Sequence, residues 1–227
     1  LENQKKAVVI LSGGMDSTTL LYDVINQGYE VSALSFNYGQ KHVKELECAK
    51  ATCKKLGVNH KIVQLDVLND LAPSALTRKD IAVPEGHYEA ENMKLTVVPN
   101  RNMIMLSLAT AYAIQKKASK LFYGAHAGDH TVYLDCRKEF IDSMKTSISL
   151  CDWHKVELEA SFWNIDKGDI AIKGKKLGVD YSLTWTCYNP ISKEGCNETV
   201  ACGKCGACQE RLEAFEKAGY KDPVEYN

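Results

Sequence analysis

The stretch AVVILSGGMDSTTLL, Ala7 to Leu21, decides the fold. A short β-branched apolar run, Ala7 to Leu11, meets two glycines and an acidic residue before helical spacing begins, which reads as a buried strand feeding directly into a helix. The helix is expected from about Ser17 to Gln27, with Gly28 ending it. Backbone N–H groups from Gly13 to Ser17 then gather at a helix N-terminus with the Ser12 and Ser17 hydroxyls beside them, forming a nest for an anion. The loop lacks the lysine and the spacing of G-x-x-x-x-G-K-[ST], and it is not G-x-G-x-x-G. A tight turn capped by Asp16 is the plain alternative, but such a turn does not need two flanking serines.

Outward from this loop, strand character returns over Val31 to Phe36, KHVKELECAKATCKKLG gives a helix closed by Gly57, and HKIVQLDV gives a third strand. This β-α-β-α-β order predicts an α/β fold with a doubly wound parallel sheet, whose ligands sit at the carboxyl ends of the strands. From Leu71 to Leu95, Pro73, Pro84 and Gly86 interrupt every periodic run, so a lid, a binding segment or disorder is expected. NRNMIMLSLATAYAIQKKA is apolar on almost every face and is expected inside the core. KLFYGAH supplies another strand, and helices are expected near Lys138 to Ser147 and over IDKGDIAIKGKKLG, ended by Gly178. From Tyr181 the chain reads as a Cys-rich tail with little periodicity.

The 227 residues carry 28 basic and 29 acidic side chains, a formal charge of -1, so no global field draws the chain to nucleic acid or an anionic membrane. A small substrate is the default. The longest apolar-rich run, Met103 to Ile114, falls short of the ~20 residues that span a bilayer. LENQKK has no apolar signal region and begins with Leu, which suggests a trimmed or engineered start, and a cytoplasmic protein is expected.

Nine cysteines include a cluster late in the chain, Cys196, Cys202, Cys205 and Cys208. In an α/β chain of this kind such clustering points to metal rather than disulfides. Cys202, Cys205 and Cys208 form C-x2-C-x2-C, and Gly203 and Gly206 let three thiolates converge, so zinc needs one more ligand, either Cys187 or Cys196. An iron-sulfur cluster matches the ferredoxin spacings poorly. Ordinary buried thiols are the remaining reading.

The motif S-G-G-x-D-S after a first strand resembles the PP-loop of the ATP pyrophosphatases. That resemblance implies ATP as the ligand and transfer of AMP to a substrate oxygen, and an acidic Asp16 in such a loop suits Mg²⁺. NYGQKH, VPNRN, YLDCR, TWTCY and CGKCGAC follow in one order, and from about Ala7 to Arg211 the chain resembles the QueC family of 7-cyano-7-deazaguanine synthases. The resemblance implies a PP-loop, HUP-like Rossmannoid domain over residues 1–180 and a zinc-binding segment over 181–227. It further implies zinc ligands Cys187, Cys202, Cys205 and Cys208, which leaves Cys196 free, and a homodimer.

The implied reaction takes 7-carboxy-7-deazaguanine, ammonia and ATP to a nitrile. A carboxylate resists attack because the nucleophile adds charge to an already anionic centre, so AMP transfer first makes a mixed anhydride. Ammonia gives the amide, and a second adenylation turns the amide oxygen into a leaving group.

In this reading Asp16, Arg101 and Lys167 are the catalytic residues, and Leu11, Ser12, Gly13, Gly14, Asp16, Ser17, Phe36 and Tyr38 bind ATP. Phe36 and Tyr38 would flank the adenine or serve as plain core. Lys167 is either a phosphate-neutralising lysine or a solvated helix charge. Arg101 and Asn102, with Asp129, Tyr133, Asp135 and Arg137, are the expected substrate contacts, since carboxylates accept from the donors of a guanine-like ring and a guanidinium pairs with carboxylate or phosphate. A metal site of His126 and His130 in HAGDH is the weaker reading, because the glycine between them argues against a helix. His60, His87 and His154 are expected at the surface.

Three departures from the family pattern stand out: Leu134 in place of a proline, Ser161 and Phe162 in place of a proline-containing stretch, and a longer link, NPISKEGCNETVA. They carry a second reading in which the activated carboxylate stops at the amide or joins a protein amine, as in anti-phage QueC-like proteins. A tRNA-modifying PP-loop enzyme is disfavoured by the balanced charge and the lack of a basic stripe. A zinc-held scaffold without turnover is disfavoured by the intact loop.

Overall fold

In the computed structural model, which describes residues 4–41, 43–78, 80–193 and 199–227, the opening apolar run forms strand β1 (Lys6–Ile10). The chain passes through the glycine pair into helix α1 (Met15–Asn26), and Gly28 turns it back at φ 86°. There follow β2 (Glu30–Asn37), α2 (Lys44–Leu56) with Gly57 as a left-handed cap, and β3 (Asn59–Gln64). The chain then adds α3 (Val67–Leu71), α4 (Arg101–Gln115), β4 (Lys120–Phe122), α5 (Lys138–Leu150), β5 (Glu157–Glu159) and α6 (Lys167–Leu177). All five strands are parallel in the order β3-β2-β1-β4-β5. Val8 pairs with Ser32 on one side and Leu121 on the other, so the strand order reverses about β1 and opens a crevice at its carboxyl end.

Alternation along β1 builds two apolar layers. Val8 joins Leu34, Leu106, Ala109, Leu121 and Ile141 beneath α4 and α5. Ala7 and Val9 join Leu20, Leu21, Val24 and Ile170 beneath α1 and α6. The doubly wound sheet expected from the sequence is therefore present.

Several local expectations are corrected. α4 is not buried all round: Met105, Leu106, Ala109, Thr110 and Ala113 face the sheet, while Met103 and Leu108 are 47 % and 40 % exposed. A helix that covers one side of a sheet buries one stripe only. Of the readings open for the segment after Leu71, only disorder is corrected for its described residues: buried Ala75, Leu76, Met93 and Thr96 pack it, and it ends in a 3₁₀ turn over Glu91–Thr96. The tail contains a two-stranded ribbon, β6 (Ile191–Ser192) with β7 (Thr199–Val200), and a full helix, α7 (Gly206–Lys217). α7 packs Ala214 and Phe215 against Met15, Ala171 and Tyr181. Of the histidines expected at the surface, His60 is half-buried with Nε2 2.7 Å from Ser35 Oγ, and His154 Nε2 lies 2.8 Å from the Ala118 carbonyl. Cys196 and part of the link before Cys202 lie outside the described residues. Among the described residues no helix is long and apolar enough to cross a membrane.

Candidate active site

The carboxyl ends of β1, β2 and β4 face one cavity of about 240 Å³. At its floor the glycine loop is braced by its own serines. The Gly14 N–H donates to Ser12 Oγ at 3.1 Å, the Ser12 N–H donates to Ser17 Oγ at 3.1 Å, and the two hydroxyls are 2.9 Å apart. Helix α1 starts at Gly14 with no side-chain cap, so Asp16 is not spent on capping and the first-turn N–H groups face the cavity end of the helix. The Trp185 N–H donates to the Gly13 carbonyl at 3.0 Å, which ties TWTCY to the loop.

Leu11, Ser12, Gly14, Asp16, Ser17, Phe36 and Tyr38 line the cavity. Gly13 has a different role. It sits at φ 96°, and a Cβ there would lie 1.9 Å from the Glu45 carbonyl oxygen, so only glycine lets the loop run against α2.

Lys167 begins α6 and is 7 % exposed, which closes the solvated-charge reading. Its Nζ donates to Glu210 Oε2 at 2.5 Å and stands 3.4 Å from Asp16 Oδ2. Burial works against the lysine charge, but Asp16, Glu210 and Asp129 outweigh it and hold the pKa above the ordinary value. Beside this pair His126, 2 % exposed, turns Nε2 toward Asp129 Oδ2 at 3.4 Å and toward Asp16 Oδ2 and Glu210 Oε1 at 3.9 Å each. Asp16 Oδ1 is buried with no hydrogen-bond partner among the described residues. A hard, oxygen-seeking cation such as Mg²⁺ suits that oxygen.

On the opposite wall Arg101 Nη1 donates to Tyr38 Oη at 3.4 Å. Burial weighs against its charge, yet Tyr38, Tyr133, Tyr188 and Asp135 keep the pKa raised. Tyr133 Oη lies 2.7 Å from Thr96 Oγ1, which latches the 3₁₀ turn to the polar segment after β4.

The four sulfurs of Cys187, Cys202, Cys205 and Cys208 lie within 4.8 Å of one another and all four residues are buried. The Cys202 N–H points at Cys187 Sγ (3.3 Å), and the Lys204 and Cys205 N–H groups at Cys202 Sγ (3.4 and 3.3 Å). Hydrogen bonds from the Cys187 and Cys208 thiols hold the Cys205 thiol below its ordinary pKa and push their own up, so the three sulfurs share protons as one set. Four converging, buried cysteine sulfurs with N–H support fit a tetrahedral metal ion. Of the two fourth ligands open in the sequence, Cys187 joins the cluster, and Cys196 lies outside the described residues.

A family model described as "Queuosine biosynthesis protein QueC" matches residues 6–219. The chain belongs to the QueC family. A 7-cyano-7-deazaguanine synthase from Caldicellulosiruptor saccharolyticus is 64 % identical over 221 residues, covering 97 % of this chain and 95 % of that protein. A synthase of the same name from Methanoregula boonei is 62 % identical over 221 residues, covering 97 % and 99 %. Among solved structures, the U34-tRNA thiolase NcsA from Methanococcus maripaludis with its [4Fe-4S] cluster aligns at TM-score 0.51 and 18 % identity, over 95 % of this chain and 66 % of that one. A 4-thiouridine synthetase bound to RNA and ATP aligns at TM-score 0.51 and 17 % identity, over 94 % and 50 %. These two likenesses concern the fold alone.

Of the residues assigned from the QueC resemblance, Arg101, Asn102, Asp129, Tyr133 and Lys167 meet in the cavity with the loop. Asp135 and Arg137 do not line it. Asp135 Oδ2 accepts the Asn102 main-chain N–H at 3.3 Å at the start of α4, and Arg137 Nε donates to the His130 carbonyl at 2.8 Å. Both brace the segment that carries Asp129 and Tyr133. Of the two histidines of HAGDH, His126 lines the cavity and turns Nε2 toward the carboxylates, whereas His130 is not among the cavity residues.

Glu210, Trp185, Tyr188 and Tyr123 also line the cavity, and the sequence reading named none of them for the site. Glu210 had one signal: Ala207, Glu210, Arg211, Ala214 and Phe215 follow i, i+3, i+4, i+7, i+8. A buried glutamate and a buried arginine in the middle of that stripe hide it from a hydrophobicity scan.

Proposed function

We propose that this chain converts 7-carboxy-7-deazaguanine, ammonia and ATP into 7-cyano-7-deazaguanine, releasing AMP and pyrophosphate. The observation that carries this reading is that the glycine loop, the buried Lys167 and the Arg101–Asn102–Asp129–Tyr133 wall share one cavity.

ATP lies with its β and γ phosphates over the loop, whose N–H groups and helix end favour the anion. Lys167 adds a fixed positive charge beside it. Mg²⁺, held by Asp16, would offset phosphate charge. Phe36 and Tyr38 flank the adenine, and Arg101 and Asn102 orient the substrate carboxylate while Asp129 and Tyr133 receive its ring. A carboxylate oxygen attacks the α-phosphorus and pyrophosphate leaves. Ammonia attacks the acyl carbon, the carbon–oxygen bond to AMP breaks, and the amide forms. A second ATP adenylates the amide oxygen, and loss of AMP with the remaining N–H protons leaves the nitrile, so two ATP are used per product.

Cys187, Cys202, Cys205 and Cys208 would hold zinc in a structural role, and their closure around it would fix the start of α7 and thus Glu210. In this scheme residues 1–180 do the chemistry and residues 181–227 form the metal-held segment that completes the cavity. We place the enzyme in the cytoplasm and as a homodimer; the exposed Met103 and Leu108 of α4 support a covered face, and light scattering tests it. The relatives cited are named for the nitrile, and nothing among them favours a protein amine as acceptor.

The test is product analysis after incubation with the acid, ATP and an ammonium salt. AMP and pyrophosphate are expected. ADP and phosphate would rule the scheme out.

A further inference from the structure

Tyr123 stands where β4 leaves the sheet and the cavity begins. Leu121, Tyr123 and Ala125 alternate into the apolar layer beneath α4 and α5, so the Tyr123 ring sits among core side chains at the carboxyl end of the strand. The residue is 5 % exposed and lines the cavity. Its hydroxyl is buried and has no hydrogen-bond partner among the described residues.

A buried tyrosine hydroxyl ordinarily finds a partner, because an unmade bond leaves its desolvation uncompensated. Other tyrosines of the chain follow that rule. Tyr133 Oη is 2.7 Å from Thr96 Oγ1, Tyr181 Oη is 2.7 Å from Thr19 Oγ1, and Tyr38 Oη accepts from Arg101 at 3.4 Å. Burial, joined by Cys136, Asp135 and Asp129 nearby, pushes the Tyr123 pKa up, so the group keeps its proton and stays a donor. The acceptor it lacks has to come from whatever fills the cavity.

The sheet says which ligand that is. β2 and β4 flank β1 on opposite sides, so Phe36 and Tyr38, at the end of β2, hold the adenine side and Tyr123 holds the other. With Tyr123 are Asn102, whose Nδ2 is 3.5 Å from Cys136 Sγ, and Asp129, which is hydrogen-bonded to the Cys136 thiol. A guanine-type edge presents a carbonyl oxygen beside an N–H and an amino group, one acceptor followed by two donors. An ionised carboxylate such as Asp129 accepts from the donors but offers nothing to the carbonyl.

We propose that Tyr123 Oη donates to the 6-carbonyl oxygen of the deazaguanine ring while Asp129 accepts from the adjoining N–H and amino groups, which makes Tyr123 a specificity-determining residue of the cavity. The inference rests on the nitrile-forming reading above, since that reading places the ring on this wall. A site built to bond a particular polar group rejects the analogue that lacks it, because its own donor is then left unpaired.

Tyr123→Phe keeps the ring in the core and removes only the hydroxyl. Steady-state AMP release by the full chain tests the proposal, with the acid and with its 6-thioxo analogue, which keeps both ring donors but offers a weaker acceptor. The variant should raise the KM for the acid about tenfold, the upper end for a neutral hydrogen bond, and leave the KM for ATP unchanged. It should raise the KM for the analogue clearly less, so the preference for the oxo ring shrinks. Thermal melting of the ligand-free variant should match or exceed wild type, because an unpaired buried hydroxyl has been removed. A KM for the acid equal to wild type, an equal loss on acid and analogue, or a lower melting temperature overturns the inference. If the wild type itself forms no AMP from the acid, the functional reading fails and takes the role of Tyr123 with it.

Discussion

Lys167 at the start of α6 and Glu210 on α7 meet at 2.5 Å across 43 residues of sequence, and Asp16 of the glycine loop stands 3.4 Å from the same Nζ. This contact joins the loop, the second half of the sheet and the Cys-rich tail at one point. Taking both charges out of water is costly, so removing only one partner leaves the other buried and unpaired.

Replacing Lys167 with Met should therefore cost about 3 kcal/mol, by the usual penalty for breaking a buried pair. It should also slow AMP formation by about 10²-fold, as for other fixed charges aimed at a transition state. Because the folded pKa of Lys167 is raised, its stabilising contribution is full below the unfolded lysine pKa and fades only as pH rises through the folded value. Urea melts at pH 7 and in the alkaline range, with an AMP assay, check both. A variant as stable and as active as the parent contradicts the role given to the pair.

The two glycines of the loop should respond unequally. Gly13→Ala drives a Cβ into the Glu45 carbonyl at a φ of 96°, and we expect a loss of more than about 3 kcal/mol or failure to fold. At Gly14 a Cβ meets Ser12 Oγ at 3.3 Å and the Trp185 carbonyl at 3.6 Å, so Gly14→Ala should fold with a cost of about 1 kcal/mol and weaker ATP binding. Thermal melts of the two variants give the comparison, and equal effects would contradict the packing account.

Elemental analysis should find about one zinc per chain, lost in Cys187→Ser and kept in Cys151→Ser, whose cysteine is exposed and away from the cluster. Because α7 begins next to Cys205 and carries Cys208 and Glu210, metal loss should lower activity as well as stability. Metal-depleted protein with full activity would separate the tail from the site.

His60 gives a pH prediction. Burial lowers its pKa, with Lys50 adding in the same direction, so the protein must bind a proton more weakly folded than unfolded. The contribution is present above the unfolded histidine value and is lost as pH falls through the folded one. Guanidinium melts at pH 7.5 and pH 5 should show a smaller drop in His60→Gln than in wild type. An identical drop would remove His60 as a cause of acid sensitivity.

The strand-loop-helix at Ala7 to Leu21 was legible because local patterning and tertiary placement agree there: an apolar run, a glycine turn and a helix that buries the same face. The cysteine spacing was legible for a similar reason, since convergence of thiolates needs short turns. The spacing alone left Cys187 and Cys196 both open, because the choice depends on how the chain returns from α6, and it was the QueC resemblance that pointed to Cys187. α4 misled because Met103 and Leu108 are apolar yet point away from the sheet. α7 was hidden because Glu210 and Arg211 are buried polar residues whose partners, Lys167 and Asp222, lie off the helix, 43 and 11 residues away. Asp135 and Arg137 share a motif with the cavity residues, but their side chains hold the backbone instead.

The most direct test of the central claim is mass spectrometry of the product formed from 7-carboxy-7-deazaguanine, ATP and isotopically labelled ammonium, with AMP counted alongside. The account predicts a nitrile that carries the label and two AMP for each nitrile formed. An amide end product, a carboxylate left unchanged, or ADP in place of AMP would contradict it.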